Sequence, residues 1–442
     1  VKIPSSTWSL LSVAVIAYAA VALERAADRQ DQTDRITITY WEKWTGSEAN
    51  EMRKIVDWYN QSQSKVRVKF LSTANVDNKT RLAASGGSPP DIAGLWEHNV
   101  SSFADANALV DLTPFATADG IKQSQYIDNY WQMFSYGGKL CALPTTPSST
   151  SMHYNRKFMP ATMQSPETAP KTLEELDALV DKISLKKKDG SIQLAGFLPV
   201  EPGWWSWGWG YLFGGKLYDE KTQKLTMNCP ENIAALTWVK SYTDRFGQRE
   251  TQSFQSSFGN FSSPQAAFFS NKVASVIQGV WLANYIHDFA RGMDWYAAPI
   301  PHPASRPDLE GTNFLGCDVM IIPKGSKHPK EAWDFIKFVQ RQDVMETICA
   351  AHGKNSPLTQ VSDQFFQKHM NKEIRLFDRL AREKNAVRVA KIGMFPQIQT
   401  EFNNAVQVVN LGEKTPKEAL DEAQARMEPL VEKYLRYMGL KQ

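Results

Sequence analysis

The chain has no marked excess of either charge. Lys and Arg number 50 against 47 Asp and Glu, a net charge of +3 over 442 residues. That balance excludes a strong basic field, so no nucleic-acid partner is expected. Cysteine is scarce: Cys141, Cys229, Cys317 and Cys349 are the four present, none close to another. That spacing gives no CxxC pair and no zinc or iron–sulfur pattern, so no metal or cofactor is expected. Four cysteines allow three disulfide pairings among which sequence does not choose, and buried free thiols are the plainer reading. Repeats and low-complexity tracts are missing too. What the chain has in quantity is tryptophan, 14 of them, beside 14 Tyr and 22 Phe. Indole rings are costly to leave wholly in water, so some are expected to line a pocket.

At 442 residues the chain is too long for one ordinary core, and two lobes are expected. Trp8 to Leu23 is uncharged and follows Lys2, and Ala17-Tyr18-Ala19 and Ala20-Val21-Ala22 fit a small-x-small cleavage pattern. Residues 1–35 therefore read as an export signal and polar tether, preferred over a retained anchor because the apolar run is short for a membrane span. With no cysteine in this segment, a lipid-anchored form is not supported.

Beyond the tether, Arg35 to Trp41 alternates as a strand, and Ser47 to Asn60 has the apolar spacing of an amphipathic helix. Lys65 to Phe70 is a second strand, Asn75 to Ala84 a helix, and Asp91 to Trp96 a third strand. This β-α-β-α-β order predicts a mostly parallel sheet with ligand at the carboxyl ends of its strands. Thr172 to Ile183 reads as a helix opened by a Thr172/Glu175 capping box, and Pro230 to Phe246 as another. Lys272 to Gly279 and Asp318 to Pro323 read as strands. Helices follow at His328 to Gln340, Gln397 to Leu411 and Pro416 to Met438.

Several segments, in order, resemble extracellular solute-binding protein family 1, the maltose-binding-protein-like sugar binders of ABC transporters. They are Ser88-Pro89-Pro90-Asp91-Ile92, Gly137 to Pro144, Met152 to Lys157, Pro170 to Leu176, Ala266 to Ala274 with Gly279-Val280-Trp281, and Lys327 to Phe335. Asn271 stands where glycine is usual, which questions the turn there, and Cys317 stands where an aromatic is frequent. The resemblance implies an α/β, two-lobed periplasmic binding protein fold of type II, each lobe a mostly parallel sheet flanked by helices, with a cleft between. By analogy, lobe one would be 36–144 plus 274–323, and lobe two 145–273 plus 324–442. It implies a monomer that captures a mono- or oligosaccharide by lobe closure in the periplasm or another extracytoplasmic space and delivers it to membrane permease subunits.

A sugar has apolar CH faces that suit flat rings and a hydroxyl rim that suits carboxylates and amides. The candidate ligand-binding residues are Glu42 and Trp44 after the first strand, and Trp96 and Glu97 after the third. Trp205, Trp207 and Trp209 come from the Trp-rich Gly203 to Gly210, with at least one of its four indoles expected in the core. Trp281 and Asp318 complete the set, with Asn355 a weaker candidate and His98 read as a surface residue. Two alternatives stand: the same fold holding a phosphorylated polyol such as glycerol phosphate, which would want Arg, Lys or helix N-termini, and a secreted glycosidase. The enzyme would need two carboxylates at a set separation. Glu42, Glu97, Glu201 and Asp318 are available, but nothing pairs them and the strand–helix repetition of a (β/α)8 barrel is missing. No catalytic residue is assigned.

Overall fold

The computed structural model describes residues 35–201 and 205–439. The expected export signal therefore lies outside the described residues, as does Trp204. No helix among the described residues is long and apolar enough to cross a membrane.

The first hundred residues fold as their periodicity predicts. Strand β1 (Ile36–Glu42) runs into helix α1 (Gly46–Ser62), then β2 (Val66–Ser72), α2 (Val76–Ser85) and β3 (Ile92–Trp96). Helix α1 buries Met52, Ile55, Val56 and Tyr59, its one apolar stripe, and its N-cap is Thr45. Strands β2, β1 and β3 pair in parallel, with Ile36 opposite Val66 and Tyr40 opposite Ile92.

Beyond β3 the expectation of two mostly parallel sheets needs correction. Apart from three two-stranded sheets that lie outside it, the strands form one mixed, eight-stranded sheet. Its hub is β4 (Leu143–Asn155), thirteen residues long. At about 3.3 Å per residue such a strand spans on the order of 40 Å, enough to leave one core and enter another. Helix α3 (Leu173–Ile183) follows, capped by the Thr172 hydroxyl, which accepts from Glu175 N. Strand β5 (Ser275–Gly279) pairs antiparallel with β4, and helix α4 (Leu282–Phe289) leads to β6 (Trp295–Ala298), also antiparallel to β4. Strand β7 (Asn313–Ile321) lies between β4 and β3, antiparallel to both. Helices α5 (Pro329–Val339) and α6 (Gln342–Ala351), the short strand β8 (Ala386–Val387), and helices α7 (Phe395–Asn410) and α8 (Pro416–Tyr437) complete the elements used below.

Two cores flank this sheet. The first gathers β1 to β3, α1, residues from 100 to 143 and 315–322, then α5, α6 and on to Ala381. The second gathers residues from Met152 to Ile300 and, after the chain crosses back near β8, Ala390 to Leu435. The boundary expected at 324 is thus displaced by some sixty residues. Helix α5 packs its apolar stripe on the first core, where the Phe335 ring meets Tyr40 at 5.9 Å and Tyr59 at 5.1 Å. Strands β5 and β6, expected in lobe one, place Val276, Ile277, Tyr296 and Ala298 in the second core.

The two departures from the family pattern are accommodated. Asn271 adopts φ 57°, a left-handed conformation that asparagine tolerates, and its Oδ1 accepts from Asn155 Nδ2 at 3.0 Å. Cys317 is buried, and all four cysteines are free.

Candidate functional site

The carboxyl ends of β1 and β3, the middle of β7 and the start of α4 surround a cleft of 620 Å³ between the two cores. Trp44 and Trp96 wall it on the first core's side, and Trp207 and Phe314 on the second's. Trp281 opens α4 at the mouth of β5 and packs partly against the first core. Its ring needs the hydrogen of Gly279, since a methyl group there would overlap the indole.

Six of the nine expected ligand residues line this cleft: Trp44, Trp96, Glu97, Trp207, Trp281 and Asp318. Three do not. Glu42 is fully buried behind the cleft, accepting from the Tyr40 hydroxyl at 2.5 Å and from Lys43 N at 2.8 Å. Trp205 and Trp209 are 1% exposed and sit in the second core. Residues 206–208 form a tight turn that leads into the short helix Trp209–Leu212. That geometry puts positions 205 and 209 together, their rings 4.4 Å apart, while Trp207, also buried in the second core, packs on Phe314 at 5.6 Å and reaches the cleft. Asn355 is also structural: it is buried and donates to the Tyr130 hydroxyl at 2.9 Å. His98, read as a surface residue, lines the cleft, and its ring lies parallel to Trp96 at 6.0 Å.

Sequence reasoning missed Lys43, Glu48 and Lys354, which give the cleft a charged floor. Asp318 is the centre of that floor. Its Oδ1 lies 3.0 Å from Lys43 Nζ, and its Oδ2 lies 2.7 Å from Lys354 Nζ and 2.9 Å from the Thr146 hydroxyl. Burial alone would raise the Asp318 pKa, but Lys354 and Lys43 outweigh it and hold the carboxyl well below the usual range. Burial also works against the charge on both lysines, yet Asp318, with Glu48 beside Lys354 and Glu42 beside Lys43, raises their pKa values. The Lys43 ammonium additionally sits 5.0 Å from the Trp44 ring and 5.1 Å from the Trp96 ring. Adjacency was the available signal for Lys43, which stands between two residues already singled out. Lys354 carried only the weaker signal of standing beside Asn355, because its pairing with Asp318 joins positions 36 residues apart.

Glu97 is a different kind of acid. Burial pushes its carboxyl up to about 7, opposed by a hydrogen bond of 2.9 Å from Cys317 N. Ser148, Thr150 and Gln399 add neutral polar groups, and Phe261 and Tyr285 add ring surface. Among the described residues no group of His, Cys, Asp and Glu could hold a metal ion. The arrangement is that of a recognition cleft: flat rings from two cores over a floor of fixed hydrogen-bonding groups.

A sequence profile described as bacterial extracellular solute-binding protein matches residues 54–373. The chain belongs to that family. Its members are binding proteins, not enzymes, so the cleft of this solute-binding protein is a capture site. Among curated relatives, the maltotriose-binding protein of Pyrococcus abyssi is 21% identical over 328 residues, 73% of this chain and 67% of the relative. The arabinooligosaccharide-binding protein of Bacillus subtilis is 22% identical over 349 residues, 75% and 74% of the two chains. The sn-glycerol-3-phosphate-binding periplasmic protein of Escherichia coli is 21% identical over 425 residues, 90% and 93%. In fold, the solute-binding protein is similar to CpMnBP1 with mannotriose bound, with a TM-score of 0.78 and 24% identity over 89% of this chain and all of that one. It is also similar to the cyclic alpha-maltosyl-1,6-maltose binding protein of Arthrobacter globiformis, with a TM-score of 0.73 and 22% identity over 90% of this chain and all of the other.

Proposed function

We propose that this solute-binding protein captures a neutral carbohydrate between its lobes and hands it to the membrane permease of an ABC importer. The observation that carries the reading is the pair of aromatic walls, Trp44 and Trp96 on one core and Trp207 and Phe314 on the other, with Trp281 beside them. Rings on both sides of a gap suit the two apolar faces of a pyranose, and the ion-paired floor suits its hydroxyls. Contacts to both lobes would be complete only when the lobes shut, so ligand would shift the population toward a closed form that a permease can distinguish. The names of the relatives from Pyrococcus abyssi and Bacillus subtilis support an oligosaccharide. Export by the N-terminal segment, residence in the periplasm or an equivalent extracytoplasmic space, and action as a monomer belong to the same proposal.

The glycerol-phosphate-binding relatives keep a phosphorylated ligand in view. The cleft argues against it. Among its described lining residues there is no arginine, and its two lysines already face Asp318. A phosphate would have to compete with that carboxylate and would meet Glu48 and Glu97 beside it.

The test is a thermal-shift screen of the folded protein against mannotriose, maltotriose, arabinotriose and sn-glycerol 3-phosphate. A ligand that binds only the native state raises the melting temperature by mass action. A rise with at least one neutral sugar is expected. A rise with glycerol phosphate alone would replace this reading with the phosphorylated-polyol one.

A further inference from the structure

Counting protons separates the two lysines of the cleft. The Lys43 ammonium has three N–H donors. Three oxygens surround it: Glu42 Oε1 at 3.1 Å, Asp318 Oδ1 at 3.0 Å and the Leu95 carbonyl at 3.3 Å. Lys43 is saturated by its own fold. Lys354 is not. It donates to Asp318 Oδ2 at 2.7 Å and to the Thr146 hydroxyl at 3.1 Å. For its third proton, the next carboxylate oxygen is Glu48 Oε1 at 4.0 Å, past hydrogen-bonding reach. Both side chains line the cleft, Lys354 at 7% exposure and Glu48 at 33%.

A second, independent observation concerns the same oxygen. His352 is completely buried behind Trp44, and its Nε2 lies 3.1 Å from the Glu48 carbonyl oxygen, so Nε2 carries the proton. Its Nδ1 is then a lone pair, because burial keeps the ring neutral. That Nδ1 is buried without a hydrogen-bond partner among the described residues and lies 3.9 Å from Glu48 Oε1. The carboxylate oxygen thus faces an acceptor on the protein side and a donor out of reach on the other. A proton for it has to arrive from the cleft.

The geometry points to a hydroxyl-binding notch: Glu48 and Lys354 hold one ligand hydroxyl between them, which accepts from Lys354 Nζ and donates to Glu48 Oε1. An oxygen about 2.8 Å from each atom closes a triangle on the 4.0 Å base. A hydroxyl has both the lone pair and the proton this position needs. A phosphate or carboxylate oxygen has only the lone pair and would press its charge against Glu48. The notch therefore selects an unmodified hydroxyl at one ligand position. It rests on the carbohydrate reading above, and it assigns Glu48 and Lys354 the specificity for that position.

The experiment is isothermal titration of mannotriose, maltotriose and arabinotriose into the wild-type protein, Glu48→Ala, Glu48→Gln, Lys354→Met and the Glu48→Ala/Lys354→Met double variant. For each sugar the wild type binds, Glu48→Ala and Lys354→Met each weaken binding about tenfold or more. Glu48→Gln restores part of the loss, because its amide oxygen still accepts. The double variant loses less than the product of the single losses, because both groups serve one hydroxyl. Circular dichroism reports folding, and if Lys354→Met does not fold, the Glu48 pair decides alone. Wild-type binding that Glu48→Ala leaves within twofold overturns the notch and leaves the carbohydrate reading standing. Absence of wild-type binding to all three sugars overturns both.

Discussion

Lys43 and Lys354 are buried ammonium groups at 5% and 7% side-chain exposure, and each is tolerated because Asp318 lies within 3.0 Å. Removing one member of such a cluster leaves a buried charge unpaired, which costs several kcal/mol. Asp318→Ala is therefore expected to destabilise the protein by about 3–5 kcal/mol, read from denaturant unfolding. The aromatic walls behave differently. Trp207→Ala and Trp281→Ala should each weaken carbohydrate binding by on the order of 2 kcal/mol, roughly 30-fold, while leaving a cooperative unfolding transition. If both variants bind as the wild type does, the walls are not the ligand contact. Glu97 supplies a pH dependence of known sign. Its folded pKa, about 7, stands above the ordinary value of 4.5, so the folded state binds the proton more tightly than the unfolded chain. The contribution of Glu97 to stability then falls as pH rises from about 4.5 to about 7, by on the order of 3 kcal/mol, and is flat above that window. Glu97→Gln should remove that fall when melting curves of the two proteins are compared across pH 4.5 to 8.

At the scale of elements, the site is a product of strand ends. Strand β3 delivers Trp96 and Glu97 into the cleft because it stops there, and β7 brings Asp318 directly opposite Trp96 in antiparallel register. Gly94 on β3 makes this possible from behind. A methyl group at position 94 would overlap the Glu42 carboxylate, which in turn anchors Lys43. Gly94→Ala should therefore lower stability by about 1–3 kcal/mol, seen as a reduced melting temperature. The C-terminal helix α8 is set by its first turn. The Thr415 hydroxyl accepts from Glu418 N at 3.3 Å, and Glu418 Oε2 accepts from Thr415 N at 3.0 Å. Thr415→Ala should cost about 1 kcal/mol, measurable as faster hydrogen exchange in the first turn of α8. Elements of this kind were legible beforehand, because the 3.6-residue stripe of α1 and the alternation of β1 and β2 are local facts. The Trp-rich segment was legible only as a signal that rings matter. Which of them faced the cleft depended on a tight turn at 206–208 that no periodicity announces.

For the whole molecule, the decisive feature is the mixed sheet that passes through both cores along β4. It places two hydrophobic cores on either side of a single gap, so a ligand in the gap touches both at once. A saturating neutral sugar is expected to reduce the radius of gyration in small-angle scattering, and at a hundred times its dissociation constant to stabilise the protein by about 2.7 kcal/mol. An unchanged scattering profile alongside proven binding would mean that the lobes do not move.

Composition, periodicity and residue order by themselves determined that this chain is an α/β protein rich in indole that resembles the solute-binding proteins, with its candidate ligand residues at the ends of particular strands. Those properties are local, carried by neighbours within a turn or a strand. Only the tertiary structure decided which lobe owns residues 324–381, which tryptophans are core, and that Lys354 and Glu48 join Lys43 and Asp318 at the cleft floor. Those outcomes depend on contacts between segments tens to hundreds of residues apart, where packing and charge pairing, not local pattern, set the place of each side chain.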